Sequence, residues 1–290
     1  MAVTVSVVTP SFNQARYLEE TLRSVLCQRN EIHEYFVLDG GSTDGSADII
    51  RKYEPLIDWW VSQKDRGQSD AIRRGFERAT GDVVCWLNSD DVFLPGAIRQ
   101  VREAFDHHPE WDVITSNYLI IDSETRIRAA YRRAPQRAFM ARLGLWHICQ
   151  PGCFFRRSLY ERVGGLDPDL LCPMDADLFA RFHRDGAIWG HLSCYLCAYR
   201  EHEQTKTASW MEVWGRERRI LADRYPRLHP GPVLRRAGRI THLAAQMLSG
   251  RQIRAWSHAA QWRGKSLADV FGRWELPSQL EHRATASTLI

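Results

Sequence analysis

Short apolar runs alternate with amphipathic segments four times in the first part of the chain, and no other feature restricts the fold as strongly. The runs lie at residues 3–8, 35–38, 59–61 and 82–87, and helical periodicity follows each of them. Strands that are apolar along almost their whole length are buried on both faces, as in parallel sheets covered by helices. The sequence therefore predicts an α/β fold with a mostly parallel sheet flanked by helices.

Capping and helix-breaking residues set the expected ends of the later elements. Ser42 and Thr43 offer side-chain caps for a helix through Tyr53, and Pro95 is expected in the first turn of a helix through Phe105. Further predicted elements are helices over 68–79, 158–163 and 175–184, and strands over 113–114, 118–121, 126–131 and 193–199.

Polar residues gather where the first four predicted strands end. They are residues 9–13 after the first strand, Asp39 at the end of the second, residues 64–68 after the third and residues 88–91 after the fourth. Ligands of open α/β sheets bind outside the carboxyl ends of the strands. One shared cleft is therefore expected to collect these residues.

The expected cleft is acidic, because Asp39, Asp65, Asp70, Asp90 and Asp91 all belong to it. Such a cleft repels a phosphate unless a divalent cation neutralises the charge. Mg²⁺ or Mn²⁺ takes carboxylate oxygens and leaves positions for phosphate oxygens, which favours a cation and a nucleotide diphosphate bound together. Each Asp taken alone is also typical of a turn or a helix cap, but the set is poorly explained in that way.

Four motifs, in this order, resemble one family. The segments SVVTPSFN at 6–13, VLDGGSTDGS at 37–46, DRGQSDA at 65–71 and WLNSDD at 86–91 are together similar to the family 2 glycosyltransferases. The resemblance covers about residues 3–205. It implies the GT-A fold, an α/β sandwich that binds nucleotide-diphospho-sugars, with Mg²⁺ or Mn²⁺ as cofactor.

The resemblance also implies which residues bind the donor. The Thr9-Pro10 turn would lie against the nucleotide, and Asp39 would accept a hydrogen bond from the base, the N3–H of uracil, with guanine and thymine left open. Arg200, His202 and Lys206 would fold over the diphosphate, where negative charge develops on the leaving group. The implied donor-binding residues are Thr9, Pro10, Ser11, Asn13, Asp39, Asp65, Gly67, Gln68, Asp70, Asn88, Ser89, Arg200, His202 and Lys206.

The acidic metal motif departs from the family pattern. Related chains usually begin this motif with Asp, whereas this chain has Asn88. The resemblance therefore leaves Asp90, with His202, as the expected metal ligands. A second departure is Arg73, where related chains often have Asn.

A later acidic pair carries the expected general base. In Pro173-Met174-Asp175-Ala176-Asp177, Met174 stands where the family has its first acid, so the resemblance implies Asp175 as the base and Asp177 as the alternative. The reaction requires a base because a hydroxyl is a weak nucleophile until a carboxylate takes its proton. A helix N-cap is the plainer interpretation of Asp175. By the same resemblance, Trp146, His147 and Gln150 would meet the acceptor.

Charge divides the chain near residue 205. Residues 210–275 hold 13 Lys and Arg against 5 Asp and Glu, although the whole chain has a formal net charge of only +4. We predict a catalytic domain over 1–205, with a nucleotide-binding half at about 1–110 and an acceptor half at 111–205, and a helical basic extension over 206–290.

The extension is expected to contact an anionic membrane surface, with a partner protein or plain solvent as alternatives. No nucleic-acid-binding motif accompanies the charge, and no nucleic-acid partner is expected.

Other features bear on location and redox state. The sequence has no run of ~20 apolar residues and no secretion signal, so a cytoplasmic protein, peripheral on the inner membrane leaflet, is expected. Seven Cys form no repeating framework and are expected to be reduced. Cys194 and Cys197 have the spacing of a zinc or redox pair, but without a second pair a strand is the better interpretation.

Together these features predict an inverting, metal-assisted glycosyltransferase. It would move a sugar from a nucleotide diphosphate donor, a UDP-sugar, to a hydroxyl of a glycan or a lipid-linked glycan. Two alternatives stay open: a GT-A protein that binds glycans or serves as a scaffold without catalysis, and a sugar nucleotidyltransferase. The latter class normally has a Gly-rich basic loop after its first strand, which residues 9–13 lack.

Overall fold

The computed structural model describes residues 2–136, 138–142, 148–203, 211–228 and 231–277. The strands are β1 (Val5–Ser11), β2 (Glu34–Asp39), β3 (Trp59–Ser62), β4 (Val83–Trp86), β5 (Val92–Phe93), β6 (Val113–Ile121), β7 (Ile127–Tyr131), β8 (Phe154–Arg156) and β9 (Trp189–Arg200). The helices are α1 (Ala15–Leu26), α2 (Ser46–Lys52), α3 (Gln68–Arg78), α4 (Ala97–His107), α5 (Ala138–Arg142), α6 (Arg157–Arg162), α7 (Met174–Arg184), α8 (Met211–Arg224), α9 (Pro232–Leu248), α10 (Arg251–Trp262) and α11 (Leu267–Phe271). Short 3₁₀ turns lie at Arg29–Glu31, Glu54–Leu56, Gln150–Gly152 and Pro226–Leu228.

The strands of the described residues form one sheet in the order β3-β2-β1-β4-β8-β6-β9-β5, with β7 paired to β6. The pairs β1–β2, β2–β3, β1–β4 and β6–β9 are parallel, and β8 joins the two halves through antiparallel pairs with β4 and β6. The predicted α/β fold is thus confirmed. Ser11 pairs with Asp39 and Asp39 with Ser62, so the ends of β1, β2 and β3 meet at one edge.

Strand β6 differs from its prediction. Residues 113–114 and 118–121 were expected as two strands, but Val113–Ile121 is one strand with all nine residues buried. The polar residues between the two apolar runs are satisfied inside the sheet: Thr115 Oγ1 donates to the Gly190 carbonyl at 3.3 Å, and Asn117 Nδ2 to the Ser193 carbonyl at 2.7 Å. Since β9 provides these acceptors, polarity alone did not reveal the continuity of the strand.

Two helix starts also differ from the prediction. Helix α2 begins at Ser46, after Gly45 at φ 95°, so Ser42 and Thr43 do not cap it. Ser42 instead donates its hydroxyl to the Asp39 carboxylate. Helix α4 begins at Ala97, because Gly96 at φ 77° occupies the left-handed conformation and leaves Pro95 in the preceding turn.

The helices after residue 210 pack on the rest of the molecule. Leu221 of α8 and Tyr225 join the core that contains Leu178 and Phe182 of α7. Further on, Trp274 Nε1 donates to the carbonyl of Phe93 at 2.9 Å. Among the described residues, no helix combines the length and the hydropathy that a membrane span requires.

Two helical glycines give a matched test of the packing between α3 and β1. A Cβ at Gly75 would lie 2.7 Å from Val8 Cγ1, whereas a Cβ at Gly215 in α8 would meet no atom within 4 Å. We expect Gly75→Ala to lower the free energy of unfolding by about 1–3 kcal/mol through overpacking. Gly215→Ala should raise it by up to about 1 kcal/mol through helix propensity. Urea unfolding measures both, and equal effects of the two variants would contradict the close packing at Gly75.

Candidate active site

A cavity of about 890 Å³ lies where strands β1 to β4 end. Residues from both halves of the sheet line it. Of the predicted site residues, those that line the cavity are Pro10, Ser11, Asp65, Gly67, Gln68, Asn88, Ser89, Asp90, Gln150 and Asp175. Those outside the lining are Thr9, Asn13, Asp39, Asp70, Arg200 and His202. Trp146, His147 and Lys206 lie outside the described residues.

The end of β1 provides one wall of the cavity. The Thr9 hydroxyl is buried and shares a hydrogen bond of 3.0 Å with the Tyr35 hydroxyl. The Ser11 hydroxyl lines the cavity, is buried, and has no partner among the described residues. Phe12 follows with 59% of its surface exposed at the cavity. This wall therefore offers a ligand one hydroxyl and one aromatic face.

Asp39 organises the loop after β2. Its Oδ2 accepts from the backbone of Ser42 at 2.9 Å, from Gly41 at 3.2 Å and from the Ser62 hydroxyl at 2.6 Å. The Ser42 hydroxyl donates to the other oxygen. A carboxylate has about four lone-pair positions. Three of these donors share Oδ2, so Oδ1 keeps one acceptor position.

The loop between β3 and α3 brings two further acids to the site. Asp65 lines the cavity and accepts from the Gly67 backbone at 2.8 Å, and burial raises the pKa of its carboxyl. A Cβ at Gly40 would lie 3.1 Å from Asp65 Oδ2, so a larger residue there would push against this carboxylate. Asp70 lies behind the lining and pairs with Arg66 at 2.9 Å and with Arg73 at 3.5 Å. Arg73, which departs from the family pattern, thus neutralises a predicted donor-binding acid.

Asn88 links three side chains at the end of β4. Its Oδ1 accepts from Gln68 Nε2 at 2.6 Å, and its Nδ2 donates to Asp91 Oδ2 at 3.1 Å and to Gln150 Oε1 at 3.2 Å. Gln150 in turn donates to the carbonyl of Trp86 at 2.7 Å. An ionised Asp could accept from Gln68 but could not donate to Asp91. The network therefore accounts for an amide at this position of the acidic motif.

Asp91 is fully buried beneath the cavity, and burial together with the neighbouring Asp90 raises the pKa of its carboxyl. The backbone N–H of Arg200 donates to its Oδ1 at 2.9 Å. The Arg200 side chain is also fully buried: Nε donates to the Asp90 carbonyl at 2.8 Å, and the guanidinium contacts Glu20 and Thr125. Arg200 was expected over the diphosphate, but its bonds all lie within the protein and position the Asp90 backbone.

Asp90 and His202 are brought together as expected of two ligands of one ion. His202 Nε2 lies 3.1 Å from Asp90 Oδ2, and Asp90 lines the cavity. Within the described part of the chain, no group of three or more His, Cys, Asp and Glu could hold a metal by itself. Mg²⁺ typically keeps waters and takes one or two protein ligands plus substrate phosphates. The Asp90–His202 pair therefore fits a cation whose remaining ligands come from a bound diphosphate.

Asp175 lies in the first turn of α7 and faces the cavity. Its Oδ1 accepts from the Ala176 backbone at 2.7 Å, and burial raises the pKa of the carboxyl. No cationic side chain pairs with Asp175 among the described residues.

Asp177, the alternative base, points elsewhere and is bound by Arg181 at 2.7 Å and by the Tyr225 hydroxyl at 2.8 Å. Met174 is buried, and the Ser69 hydroxyl donates to its sulfur at 2.8 Å.

Several cavity residues escaped the sequence interpretation. Tyr118 of β6, Tyr131 of β7, Arg133 and Glu201 line the cavity from the second half of the sheet, and Trp214 of α8 lines it from the predicted extension. Phe12 carried a signal, as an aromatic directly after β1. Tyr118, Tyr131 and Arg133 carried none, because their approach depends on how β6 and β7 pair.

Helix α8 also supports the loop before Asp175. Glu217 is buried, and its Oε2 accepts from the backbones of Leu171 and Cys172 at 3.0 Å each. These two bonds hold the segment that leads into α7. The predicted extension thus contributes to the geometry of the candidate base.

The sequence of this chain matches one family of known proteins. A family model described as Glycosyl transferase family 2 matches residues 6–164. The chain belongs to glycosyltransferase family 2. An uncharacterized glycosyltransferase of Mycobacterium tuberculosis is 31% identical over 236 residues, which cover 78% of this chain and 86% of the relative. Another, from Nostoc sp., is 31% identical over 183 residues, and the match spans 57% of this chain but only 54% of the relative.

The fold of this chain is similar to those of solved glycosyltransferase structures. TarS of Staphylococcus aureus, residues 1–349 in complex with UDP-GlcNAc, superposes with a TM-score of 0.59 at 18% identity, over 71% of this chain and 61% of that one. The mannosyltransferase PcManGT of Pyrobaculum calidifontis, in complex with GDP-Man and Mn²⁺, gives 0.57 at 20% identity, over 99% and 85%. The GT-A fold predicted for this chain is thereby confirmed.

The Asn88 network predicts the effect of restoring an acid. Asn88→Asp should remove the bond to Asp91 and place two carboxylates together, which lowers the free energy of unfolding by about 1–3 kcal/mol. Paired carboxylates have raised pKa values in the folded state, so this loss should grow as the pH rises from 4 to 8. Urea unfolding across that range measures it, with Asn30→Asp at an exposed position as the control. Equal stability of Asn88→Asp and wild type at pH 8 would contradict the network.

Proposed function

We propose that this family 2 protein is an inverting glycosyltransferase. It takes a nucleotide diphosphate sugar, a UDP-sugar, as donor and a hydroxyl of a glycan or lipid-linked glycan as acceptor. One observation carries the proposal: Asp175, a carboxylate without a cationic partner among the described residues, lines the same cavity as Asp90. A base and a diphosphate-anchoring acid in one cavity are what a single displacement at C1 requires.

Asp175 acts as the general base in this proposal. It takes the proton of the acceptor hydroxyl while the oxygen bonds to C1 of the donor sugar and the bond from C1 to the diphosphate oxygen breaks. The leaving nucleoside diphosphate keeps the electron pair. Attack from the face opposite the leaving group inverts C1. Burial raises the pKa of Asp175, which makes its carboxylate a stronger base and supports its assignment.

Asp90 and His202 would hold a divalent cation, Mg²⁺ or Mn²⁺. When bound, the ion supplies positive charge that stabilises the leaving diphosphate. The contact of 3.1 Å between the two side chains and the Mn²⁺ in the PcManGT complex support this assignment. Asn88 keeps its place in the network with Gln68 and Gln150 and is left free of a ligand role in this proposal.

The nucleotide is assigned to the wall formed by the end of β1. UDP-GlcNAc in the TarS complex supports uracil, whereas GDP-Man in PcManGT shows that a related fold accepts guanine. The exposed ring of Phe12 and the unpartnered hydroxyl of Ser11 offer stacking and one hydrogen bond. A thermal-shift series with UDP, GDP and dTDP in the presence of Mn²⁺ ranks the three bases directly.

Replacing the base separates catalysis from binding. Asp175→Asn should reduce transfer by about 10²–10⁴-fold, because a positioned base contributes that much, and should leave donor binding within about twofold. Because burial raises the folded-state pKa of this acid, its ionisation costs stability as the pH rises above the ordinary range of an Asp. The Asn variant should therefore melt no lower than wild type at pH 8.

Turnover and donor hydrolysis with Mn²⁺ and a UDP-sugar measure the first effect, and calorimetry measures the second. Asp169→Asn, at an exposed carboxyl, is the matched control. In wild type the acid limb of the rate profile should lie above the usual range of an Asp. Normal turnover by Asp175→Asn would reject the base. A wild-type protein that never releases nucleoside diphosphate would support the non-catalytic alternative.

The same proposal places the basic extension on an anionic membrane surface. Helices α9 and α10 lack acids between residues 232 and 262, where the sequence has five arginines. Large apolar side chains of both helices are exposed rather than packed: Leu248 is 90% exposed and Val233 82% exposed, with Ile240, Leu243, Ile253 and Trp256 also exposed. Apolar and cationic side chains on one helical pair are typical of interfacial helices. Anionic headgroups complement this charge at about 1 kcal/mol per arginine near the surface.

Vesicle flotation of the full chain tests the membrane contact. Wild type should float with vesicles containing phosphatidylglycerol and not with pure phosphatidylcholine. Ile240→Ser/Leu248→Ser/Trp256→Ser should weaken binding at least tenfold, as should Arg236→Gln/Arg239→Gln/Arg254→Gln. Ile188→Ser, at an exposed apolar residue before β9, is the control. Equal flotation of wild type and both triple variants would reject this membrane surface.

A further inference from the structure

Arg133 is a cation built into the acceptor side of the cavity. Its guanidinium carbon lies 5.2 Å from the ring centroid of Tyr118 and 4.7 Å from that of Tyr131. The two rings stack on each other with centroids 5.0 Å apart, and the Arg133 guanidinium donates to the Tyr118 hydroxyl. The Arg133 backbone is fixed as well, because its N–H donates to Asn117 Oδ1 at 2.8 Å. The side chain is therefore held in place before any ligand arrives.

The guanidinium has no anionic partner. None of the described acidic residues forms an ion pair with Arg133, and its Nε is buried without any hydrogen-bond partner. Buried unpaired donors are rare in folded proteins and cost free energy when no ligand satisfies them. The aromatic rings support the positive charge, Arg133 lines the cavity, and its Nη1 donates to no described residue.

Arg133 is separate from the residues of the donor motifs. The described acidic lining residues are Asp65, Asp90, Asp175 and Glu201, and Lys64 is the other cation among the described lining residues. Lys64 belongs to the loop between β3 and α3, beside the donor motifs. Arg133 comes after β7 and shares its wall with Tyr118, Tyr131 and Glu201, on strands that carry none of those motifs.

We propose that Arg133 binds an oxyanion of the acceptor: a phosphate ester or a carboxylate on the sugar or polyol that receives the new glycosidic bond. The inference rests on the proposed transferase function and deepens it by naming the acceptor class. A planar guanidinium reads the paired oxygens of phosphate and carboxylate groups through two parallel hydrogen bonds. An uncharged acceptor would leave the charge of Arg133 without an anionic partner in the cavity, so the site discriminates against neutral glycans.

Binding of small probes to the full-length protein tests this site. Glycerol 3-phosphate, glucuronate and uncharged glycerol are titrated by NMR into the protein with Mg²⁺, with and without saturating UDP. Wild type should bind at least one anionic probe at least tenfold more tightly than glycerol. Arg133→Gln should lose that preference by about ten- to a hundredfold, and Arg133→Lys, which keeps the charge without the fork, should lose several-fold. Preference for the phosphate or the carboxylate probe tells which group the acceptor carries.

Arg132→Gln is the matched control, because the neighbouring Arg132 lies over the Tyr195 ring at 6.0 Å and does not line the cavity. UDP affinity should stay within twofold in every variant. Unchanged preference for the anionic probe in Arg133→Gln and Arg133→Lys would overturn the proposal, as would a tenfold loss of UDP affinity, which would assign Arg133 to the donor. Absence of UDP binding by wild type would instead count against the proposed transferase, because the titrations without UDP report on Arg133 separately.

Discussion

The buried pair formed by Asp91 and Arg200 is the constraint on which the site depends. Asp91 follows β4, Arg200 ends β9, and these strands belong to different halves of the sheet. The bond from the Arg200 backbone to Asp91, together with the bond from its side chain to the Asp90 carbonyl, joins the two halves directly under the cavity. Asp90 is thereby fixed against His202, two residues beyond the strand end. A buried charge network of this kind stabilises only when its groups are satisfied, and here Glu20 and Thr125 complete it.

The two acids missing from the motifs have structural explanations. At position 88 the amide accepts from Gln68 and donates to the buried Asp91 carboxyl, and an ionised Asp could not make the second of these bonds. At position 174 the side chain is buried against Ser69, where a carboxylate would be desolvated without a cation. Both replacements therefore leave out a charge, at a half-buried position for Asn88 and at a buried one for Met174. Neither alters Asp90 or Asp175, which keep their places on the cavity.

The sequence predicted the parallel half of the fold well, because its strands are uniformly apolar and its polar clusters mark strand ends. Ser11, Asp65, Asn88 and Asp90 were accordingly found at one edge. The second half was harder. Strand β6 contains a polar stretch that only β9 satisfies, and β5 has two residues, too few to give a periodic signal.

The same limit applies to side-chain roles. A motif gives the position of Arg200 in the chain but not the burial of its side chain, which depends on Glu20 and Asp91, 180 and 109 residues away in the sequence. Arg133 had no motif at all, since its meeting with Tyr118 and Tyr131 depends on the antiparallel pairing of β6 and β7. Residues whose function arises from such pairings become visible only in three dimensions.

The hydrogen bonds from Leu171 and Cys172 to Glu217 make the loop before α7 dependent on helix α8. Removing the chain from Met211 onward would leave the N–H groups of Leu171 and Cys172 without their acceptor. It would also expose the apolar surface that Leu221 and Tyr225 cover. The segment that leads into α7 would then lose these contacts. We therefore expect a chain shortened in this way to lose order at Asp175, the proposed base, even with every donor motif intact.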